Sequence, residues 1–163
     1  MRLYRIIKTK YAHDLTGGGA KLSGGRWNHA GIPCIYLAES RALSLLEYVA
    51  HTSIKTLPPT LSFITLEVPD SSIRQLPVNE LPADWLKQPH SKASQDIGSA
   101  YLTKNDHLLL QLPSVIIEQE FNFILNTRHP LISAVKIAEV TKVMANAIIS
   151  PKARTGSPLQ GMQ

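Results

Sequence analysis

A glycine-rich segment near the N-terminus combines residue types that suit a ligand site. Six of the nine glycines of this 163-residue chain fall between Gly17 and Gly31, and the same stretch contains Arg26 and Trp27. Glycine admits positive φ and lets a ligand approach backbone N–H groups without interference from a Cβ atom. The segment is therefore predicted to shape a ligand site. A flexible surface loop is the alternative, and it fits less well because a tryptophan is costly to expose.

Glu47 is the second residue whose position suggests chemistry. It lies in RALSLLEYVAH, which is predicted to be a helix because Ser40 is a good N-cap and apolar residues recur at helical spacing behind it. These apolar residues are Ala42, Leu45, Leu46, Val49 and Ala50. Glu47 lies at the margin of their face and not on the outer face with Ser44, Tyr48 and His51. A carboxylate there serves a site, covers the rim of the core or pairs with an arginine.

The positive charge of the chain is concentrated in its first 60 residues. Eight of the 17 Lys and Arg but three of the 12 Asp and Glu lie there, so the net charge of +5 belongs to this region. Such an excess is typical of a surface that meets a phosphate, a nucleic acid or an acidic partner, and also of a basic surface kept for solubility. No Gly-Lys-Ser/Thr ending of a P-loop and no dinucleotide-binding fingerprint accompanies it.

Length and composition predict one domain in a soluble protein of the cytosol. An apolar fraction of 44% and a charged fraction of 18% exclude a disordered tail and a coiled coil. The single cysteine, Cys34, excludes an internal disulfide and argues against redox chemistry. No apolar run approaches the roughly 18 residues of a membrane helix, and no signal peptide is recognised at the N-terminus. The six histidines lack metal-ligand spacing, so no metal is predicted.

The remaining pattern predicts a mixed α and β chain. Strands are predicted over residues 3–7, 34–38, 61–68, 108–117 and 121–126, with Pro113 as a break or bulge. Residues 69–93 are rich in proline and predict an irregular crossing that Trp85 anchors to the core. A short helix is predicted from a cap at Ser94 through Leu102.

These motifs together resemble the RES domain, a family named for an Arg, a Glu and a Ser. The motifs, all between residues 1 and 131, are Arg5, Gly19-Ala20, Gly24-Gly25-Arg26-Trp27-Asn28, Gly31, Tyr36-Leu37-Ala38, Leu46-Glu47, His51, Pro113-Ser114, Glu120, Asn122, Asn126 and His129-Pro130. Their order and spacing make the resemblance specific. The chain departs from the family pattern at Gly98-Ser99-Ala100-Tyr101 and in the segment 136–163.

The resemblance implies a fold and an activity. The fold is α+β, an ADP-ribosyltransferase-like split β-sandwich with peripheral helices, as a single RES domain over residues 1–154 with a mobile tail over 155–163. The activity is that of the toxin of a type II toxin–antitoxin system, which depletes NAD by cleaving the nicotinamide–ribose bond with water or phosphate as acceptor and so arrests growth. The partner is an antitoxin with a helix-turn-helix DNA-binding domain, in a multimeric complex that contacts DNA only through the antitoxin.

By motif, the resemblance assigns Arg26, Tyr36, Glu47 and Ser114 as the functional set. Arg26 suits a bidentate grip on a phosphate of NAD, and the ring of Tyr36 suits nicotinamide, with its hydroxyl at a polar edge. Glu47 suits stabilisation of the positive charge that develops on ribose, and it suffices alone because nicotinamide leaves as a neutral base. Ser114 is expected to bond to Glu47, nicotinamide or ribose, and the alternative is a bond to local backbone.

Three more residues are expected at the NAD site, and two other functions stay open. Gly25 and Trp27 flank Arg26, while Arg5 is a second cation of the cleft or a structural partner. The other functions are a protein ADP-ribosyltransferase that uses NAD and a non-catalytic basic module that binds nucleic acid. Aromatic residues make up 6% of the chain and do not alternate with basic ones, unlike the stacking platforms of many such modules.

Overall fold

The computed structural model describes residues 1–52 and 57–143. Its strands are β1 (Arg2–Lys8), β2 (Ile35–Ala38), β3 (Leu61–Glu67), β4 (Ile73–Gln75), β5 (Leu109–Pro113), β6 (Phe121–Leu125) and β7 (Lys136–Lys142). Its α-helices are α1 (Gly18–Ser23), α2 (Arg41–His51) and α3 (Lys92–Lys104). The α+β class is therefore confirmed. The predicted tail over 155–163 lies outside the described residues.

The strands form a sheet that is nearly divided in two. Their order is β4-β5-β6-β2-β1-β3-β7, and the pairs are antiparallel except β4 with β5. Strands β1 and β3 pair along their whole length, whereas β1 and β2 share the single registered pair Tyr4 and Ala38. The sheet therefore opens between β1 and β2, which is the split expected from the resemblance.

The core fills both halves of the sheet and the space beneath the glycine-rich segment. One cluster joins the halves through buried apolar residues such as Leu3, Ile35 and Ile64. A second cluster packs Trp27 and Trp85 with residues of β5, β6 and α3. The side chain of Trp85 is 5% exposed, so its predicted anchoring of the irregular crossing is confirmed.

Two element boundaries differ most from prediction, because local hydrogen bonds decide them. The strand predicted over 108–117 ends at Pro113, since the chain turns there and Ser114 N donates to the carbonyl of Glu120 at 2.8 Å. Helix α3 spans Lys92–Lys104, so the predicted cap, Ser94, lies inside it. Ser91 is its N-cap, and the Ser91 hydroxyl accepts from Ser94 N at 3.2 Å.

Three elements were not predicted. Helix α1 occupies part of the glycine-rich segment, where its low helix propensity concealed it. Strand β4 has three residues, and β7 is an edge strand whose mostly exposed side chains lack an apolar alternation. Strand β7 also gives structure to the start of the segment 136–163, the rest of which lies largely beyond the described residues.

Candidate active site

A cleft of about 350 Å³ lies where the sheet opens, between the glycine-rich segment and helix α2. Its volume lies within the usual range of ligand sites, roughly 300–1,000 Å³. Its wall includes most of the residues predicted for the site. They are Arg5, Gly25, Arg26, Trp27, Tyr36 and Glu47. Ser114, which is 0% exposed, does not line the cleft.

Arg26 is held in the wall of the cleft by main-chain acceptors. Its Nη1 donates to the carbonyls of Trp85 at 2.8 Å and Lys87 at 3.1 Å, while its Nη2 is buried without a partner among the described residues. Burial lowers the pKa of Arg26, an effect that the charge of Glu47 opposes, and an arginine stays protonated in proteins. Nη1 is thus used within the protein, whereas Nη2 makes no hydrogen bond to the described residues.

Helix α3 fixes the segment that carries Arg26. Gly98 comes so close to this segment that a Cβ atom there would lie 1.9 Å from the carbonyl oxygen of Trp27. The neighbouring Ser99 hydroxyl accepts from His29 N at 2.9 Å. The Arg26 segment therefore packs against Gly98 and Ser99. Both belong to the stretch Gly98-Ser99-Ala100-Tyr101, where the chain departs from the family pattern.

Tyr36 and Asn28 brace the same segment from the side of β2. The Tyr36 hydroxyl accepts from Trp27 N at 3.0 Å and donates to Asn28 Oδ1 at 2.7 Å. Asn28 is fully buried, and its Nδ2 donates to the carbonyls of Ala20 at 2.9 Å and Ile32 at 3.0 Å. Burial raises the pKa of Tyr36. Its hydroxyl is thus used within the protein, and its ring is the part that remains for a ligand.

Arg5 combines the two roles that the sequence left open. Its Nη2 donates to the carbonyl of Asp14 at 2.6 Å, so it ties β1 to the chain after the strand. Its Nε is buried and lacks a partner among the described residues, although Arg5 lines the cleft. Burial lowers the pKa of Arg5, and the charge of Asp14 opposes this shift. The cleft is therefore lined by two cationic residues, each with a buried donor that no group within residues 1–52 and 57–143 accepts.

Glu47 is held by two side-chain donors that act on one of its oxygens. The hydroxyl of Ser114 donates to Glu47 Oε1 at 2.8 Å, and Asn122 Nδ2 donates to the same atom. Ser114 thus makes one of its predicted contacts, and it acts through Glu47 from behind the cleft wall. Asn122 belongs to the family motif but had no predicted role, and no spacing in the sequence predicts its contact with Glu47.

The face that α2 turns toward the cleft differs from the prediction. Ser44, Tyr48 and His51 were predicted on the outer face, but they line the cleft with Glu47. Leu46 of the predicted apolar face is 38% exposed instead. The apolar periodicity misled because this helix packs on the sheet through a face that also carries the polar residues of the cleft.

Other kinds of chemistry find little support in the residues described. Over residues 1–52 and 57–143, no group of three or more His, Cys, Asp and Glu side chains is placed to hold a metal ion. Cys34 is buried, which raises the pKa of its thiol to about 12, so the reactive thiolate is suppressed at neutral pH. Among the described helices, none has both the length and the apolar character that a membrane crossing requires.

Comparison with known proteins decides the family. A family model described as the RES domain matches residues 2–146. The chain belongs to the RES domain family. This RES domain is similar to a protein named "Prs ADP-ribosylating toxin" from Sphingobium sp. (strain YBL2), with 38% identity over 144 residues that cover 86% of this chain and 89% of that protein.

A second relative and a solved structure agree with this membership. A protein named "Toxin Res" from Yersinia enterocolitica is 38% identical over 130 residues, which cover 79% of this chain and 86% of that protein. The fold resembles a chain in the crystal structure of the M. tuberculosis MbcT–MbcA toxin–antitoxin complex, with a TM-score of 0.71, 20% identity and coverage of 90% of this chain and 86% of that one. The resemblance inferred from the motifs is thus confirmed.

Proposed function

We propose that this RES domain is the toxin of a toxin–antitoxin system and that it cleaves the bond between nicotinamide and ribose in NAD. The observation that carries the proposal is one cleft with two features: a buried guanidinium donor on Arg26 that has no partner in the described part of the chain, and a carboxylate, Glu47, held by two donors. The first group suits the anionic part of a dinucleotide, and the second suits a developing positive charge. Relatives named as toxins support the same conclusion.

In this mechanism the two arginines hold the pyrophosphate and Glu47 faces the ribose. An unpaired buried N–H costs about 1–3 kcal/mol, so a phosphate oxygen that accepts from Arg26 Nη2 or Arg5 Nε offsets a cost already present in the fold. As the glycosidic bond breaks, its electron pair moves to the ring nitrogen, which releases neutral nicotinamide. The Glu47 carboxylate stabilises the cationic ribose that remains.

The acceptor completes the reaction. Water adds to the anomeric carbon and loses a proton, which gives ADP-ribose, whereas inorganic phosphate gives the corresponding ribosyl phosphate. A protein side chain as acceptor makes the same site an ADP-ribosyltransferase. The relative named as an ADP-ribosylating toxin, 38% identical to this chain, favours this second candidate function.

The proposed partner is an antitoxin that blocks the cleft. We propose that it carries a helix-turn-helix DNA-binding domain, forms a multimer with the toxin in the cytosol and makes the contacts with DNA. The similar fold solved as part of a toxin–antitoxin complex supports such a partner. An acidic or carboxylate-terminated segment suits the cationic wall, so charge reversal at Arg26 and Lys21 is expected to weaken the complex. Binding that is unchanged in that variant contradicts the proposed mode of blocking.

The test is incubation of the purified protein with NAD, with and without phosphate, followed by chromatography of the products. We expect free nicotinamide, and we expect Glu47→Gln and Arg26→Ala each to slow its release about a hundredfold or more. Glu118→Gln and Arg74→Ala are matched controls at exposed positions outside the cleft. No nicotinamide release, combined with salt-dependent nucleic-acid binding in a filter assay, would instead support the basic binding module.

A further inference from the structure

Asn122 is placed to act on Glu47 from within the cleft. It is the second residue of β6, where it pairs with Ala38 of β2 and Leu112 of β5, so its backbone is fixed by strands on both sides. Its side chain lines the cleft, and its Nδ2 donates to Glu47 Oε1. Helix and sheet thus meet at this contact.

The other donor to the same oxygen, Ser114, is fixed even more firmly. Its hydroxyl donates its single hydrogen to Glu47 Oε1 at 2.8 Å and accepts from Ile116 N at 3.1 Å and Ile117 N at 3.2 Å. Its backbone N–H is bonded to the carbonyl of Glu120. Ser114 is therefore a rigidly held donor, and its hydrogen bond fixes one atom of the Glu47 carboxylate, Oε1.

One anchored point does not orient a carboxylate. The last torsion of a glutamate is broad and nearly two-fold, so either oxygen of the side chain can take the inner position and the plane can rock about a single hydrogen bond. A second donor to the same oxygen, carried by β6, restricts that freedom, because exchanging the two oxygens would then break two hydrogen bonds. Among the described residues no donor contacts the other oxygen, Oε2, which is left to face a ligand.

We infer that Asn122 is a positioning residue of the reaction: with Ser114 it anchors Oε1 of Glu47 and thereby commits Oε2 to the ribose of the substrate. This inference rests on the proposed NAD-cleaving function. The amide is the suitable group because Nδ2 donates whatever the pH, whereas a carboxyl group at this place donates only when it is protonated.

The test compares steady-state cleavage of NAD by the wild-type protein, Asn122→Ala and Asn122→Asp across pH. Asn122→Ala is expected to lower kcat about tenfold or more and to leave KM for NAD within about twofold, since misplacement of a reacting group slows the reaction without removing the phosphate contacts. Asn122→Asp has nearly the same shape as the native side chain. At neutral pH it places a second negative charge beside Glu47 and is expected to be less active than Asn122→Ala.

The pH profile separates positioning from a structural role. As pH falls, the introduced carboxyl group and Glu47 can share one proton, which restores a donor to the pair. The activity of Asn122→Asp relative to wild type is therefore expected to rise as pH falls, while that of Asn122→Ala is not. Gln119→Glu makes the same amide-to-acid exchange at an exposed residue outside the cleft and is expected to keep the wild-type kcat and pH profile.

The outcomes distinguish this inference from the function on which it rests. Wild-type protein that releases no nicotinamide overturns both. Wild-type protein that is active, with Asn122→Ala at full kcat or Asn122→Asp without recovery at low pH, overturns the role of Asn122 alone. Circular dichroism and thermal unfolding of each variant identify losses of fold, and the near-isosteric Asn122→Asp keeps the test decisive if Asn122→Ala unfolds.

Discussion

The two sides of the cleft hold their charged residues by different means. Arg26 lies in a glycine-rich segment that is fixed by main-chain carbonyls and by the close approach of α3 at Gly98. Glu47 lies on a regular helix and is fixed by the side chains of Ser114 and Asn122. Substitutions of the residues that brace the Arg26 segment should therefore reduce stability, whereas substitution of Glu47 should reduce turnover and spare the fold.

The largest expected effect is on turnover at the glutamate side. Glu47→Gln keeps the size of the side chain and removes its charge, so kcat for NAD should fall about a hundredfold or more, which corresponds to about 2.7 kcal/mol in the activation free energy. The free energy of unfolding, measured with urea, should change by less than about 1 kcal/mol. If Glu47→Gln loses stability as well as activity, the proposed difference between the two sides of the cleft is wrong. Glu118→Gln is the control at an exposed position.

Gly98→Ala should produce the next largest effect, on the arginine side. Its methyl group would meet the carbonyl of Trp27, so α3 and the segment must move apart, and the free energy of unfolding should fall by about 2 kcal/mol. Gly19→Ala is the matched control in helix α1, because a methyl group there would meet nothing within 4 Å beyond its own helix and chain neighbours. That control should keep or slightly gain stability. Equal urea midpoints for the two variants would show that the close packing of Gly98 against Trp27 does not hold the Arg26 segment in place.

Tyr36→Phe tests whether the Tyr36 hydroxyl stabilises the glycine-rich segment or binds the ligand. The change leaves Trp27 N and Asn28 Oδ1 without their shared partner, which should lower the free energy of unfolding by roughly 1–2 kcal/mol. Turnover of the folded protein should stay within a few-fold of wild type. Full stability with a large loss of kcat would mean that the hydroxyl contacts the substrate.

Asp96→Asn should have the smallest effect. Asp96 Oδ1 lies 2.7 Å from His29 Nε2, but both side chains are substantially exposed, and even a fully charged pair at an exposed position contributes only about 0–1 kcal/mol. The urea midpoint should therefore scarcely move. A large loss of stability would show that this hydrogen bond, and not the approach of Gly98, holds the segment to α3.

The sequence predicted the charged residues of the site better than their surroundings. Arg26, Tyr36 and Glu47 belong to short motifs that can be recognised in the sequence, and all three line one cleft in the structure. The orientation of α2 was wrong because apolar periodicity reports burial in a core, whereas this helix turns polar residues toward a site. The contact between Asn122 of β6 and Glu47 of α2 joins residues 75 positions apart in the chain, which local patterns do not encode.

Boundaries were missed for a related reason. Ser91 and Ser94 are both good caps, so residue type alone did not show that the Ser91 hydroxyl is the group that accepts from Ser94 N and starts the helix. Strand β7 was missed because an edge strand with mostly exposed residues carries no alternation of apolar and polar side chains. Such features become visible only when tertiary contacts are known.

The most direct measurement of the central claim is a crystal structure of Glu47→Gln with NAD bound. We expect a pyrophosphate oxygen within hydrogen-bond distance of Arg26 Nη2 and the nicotinamide ribose beside position 47. NAD bound outside the cleft, or within it with the nicotinamide ribose turned away from position 47, would contradict the account.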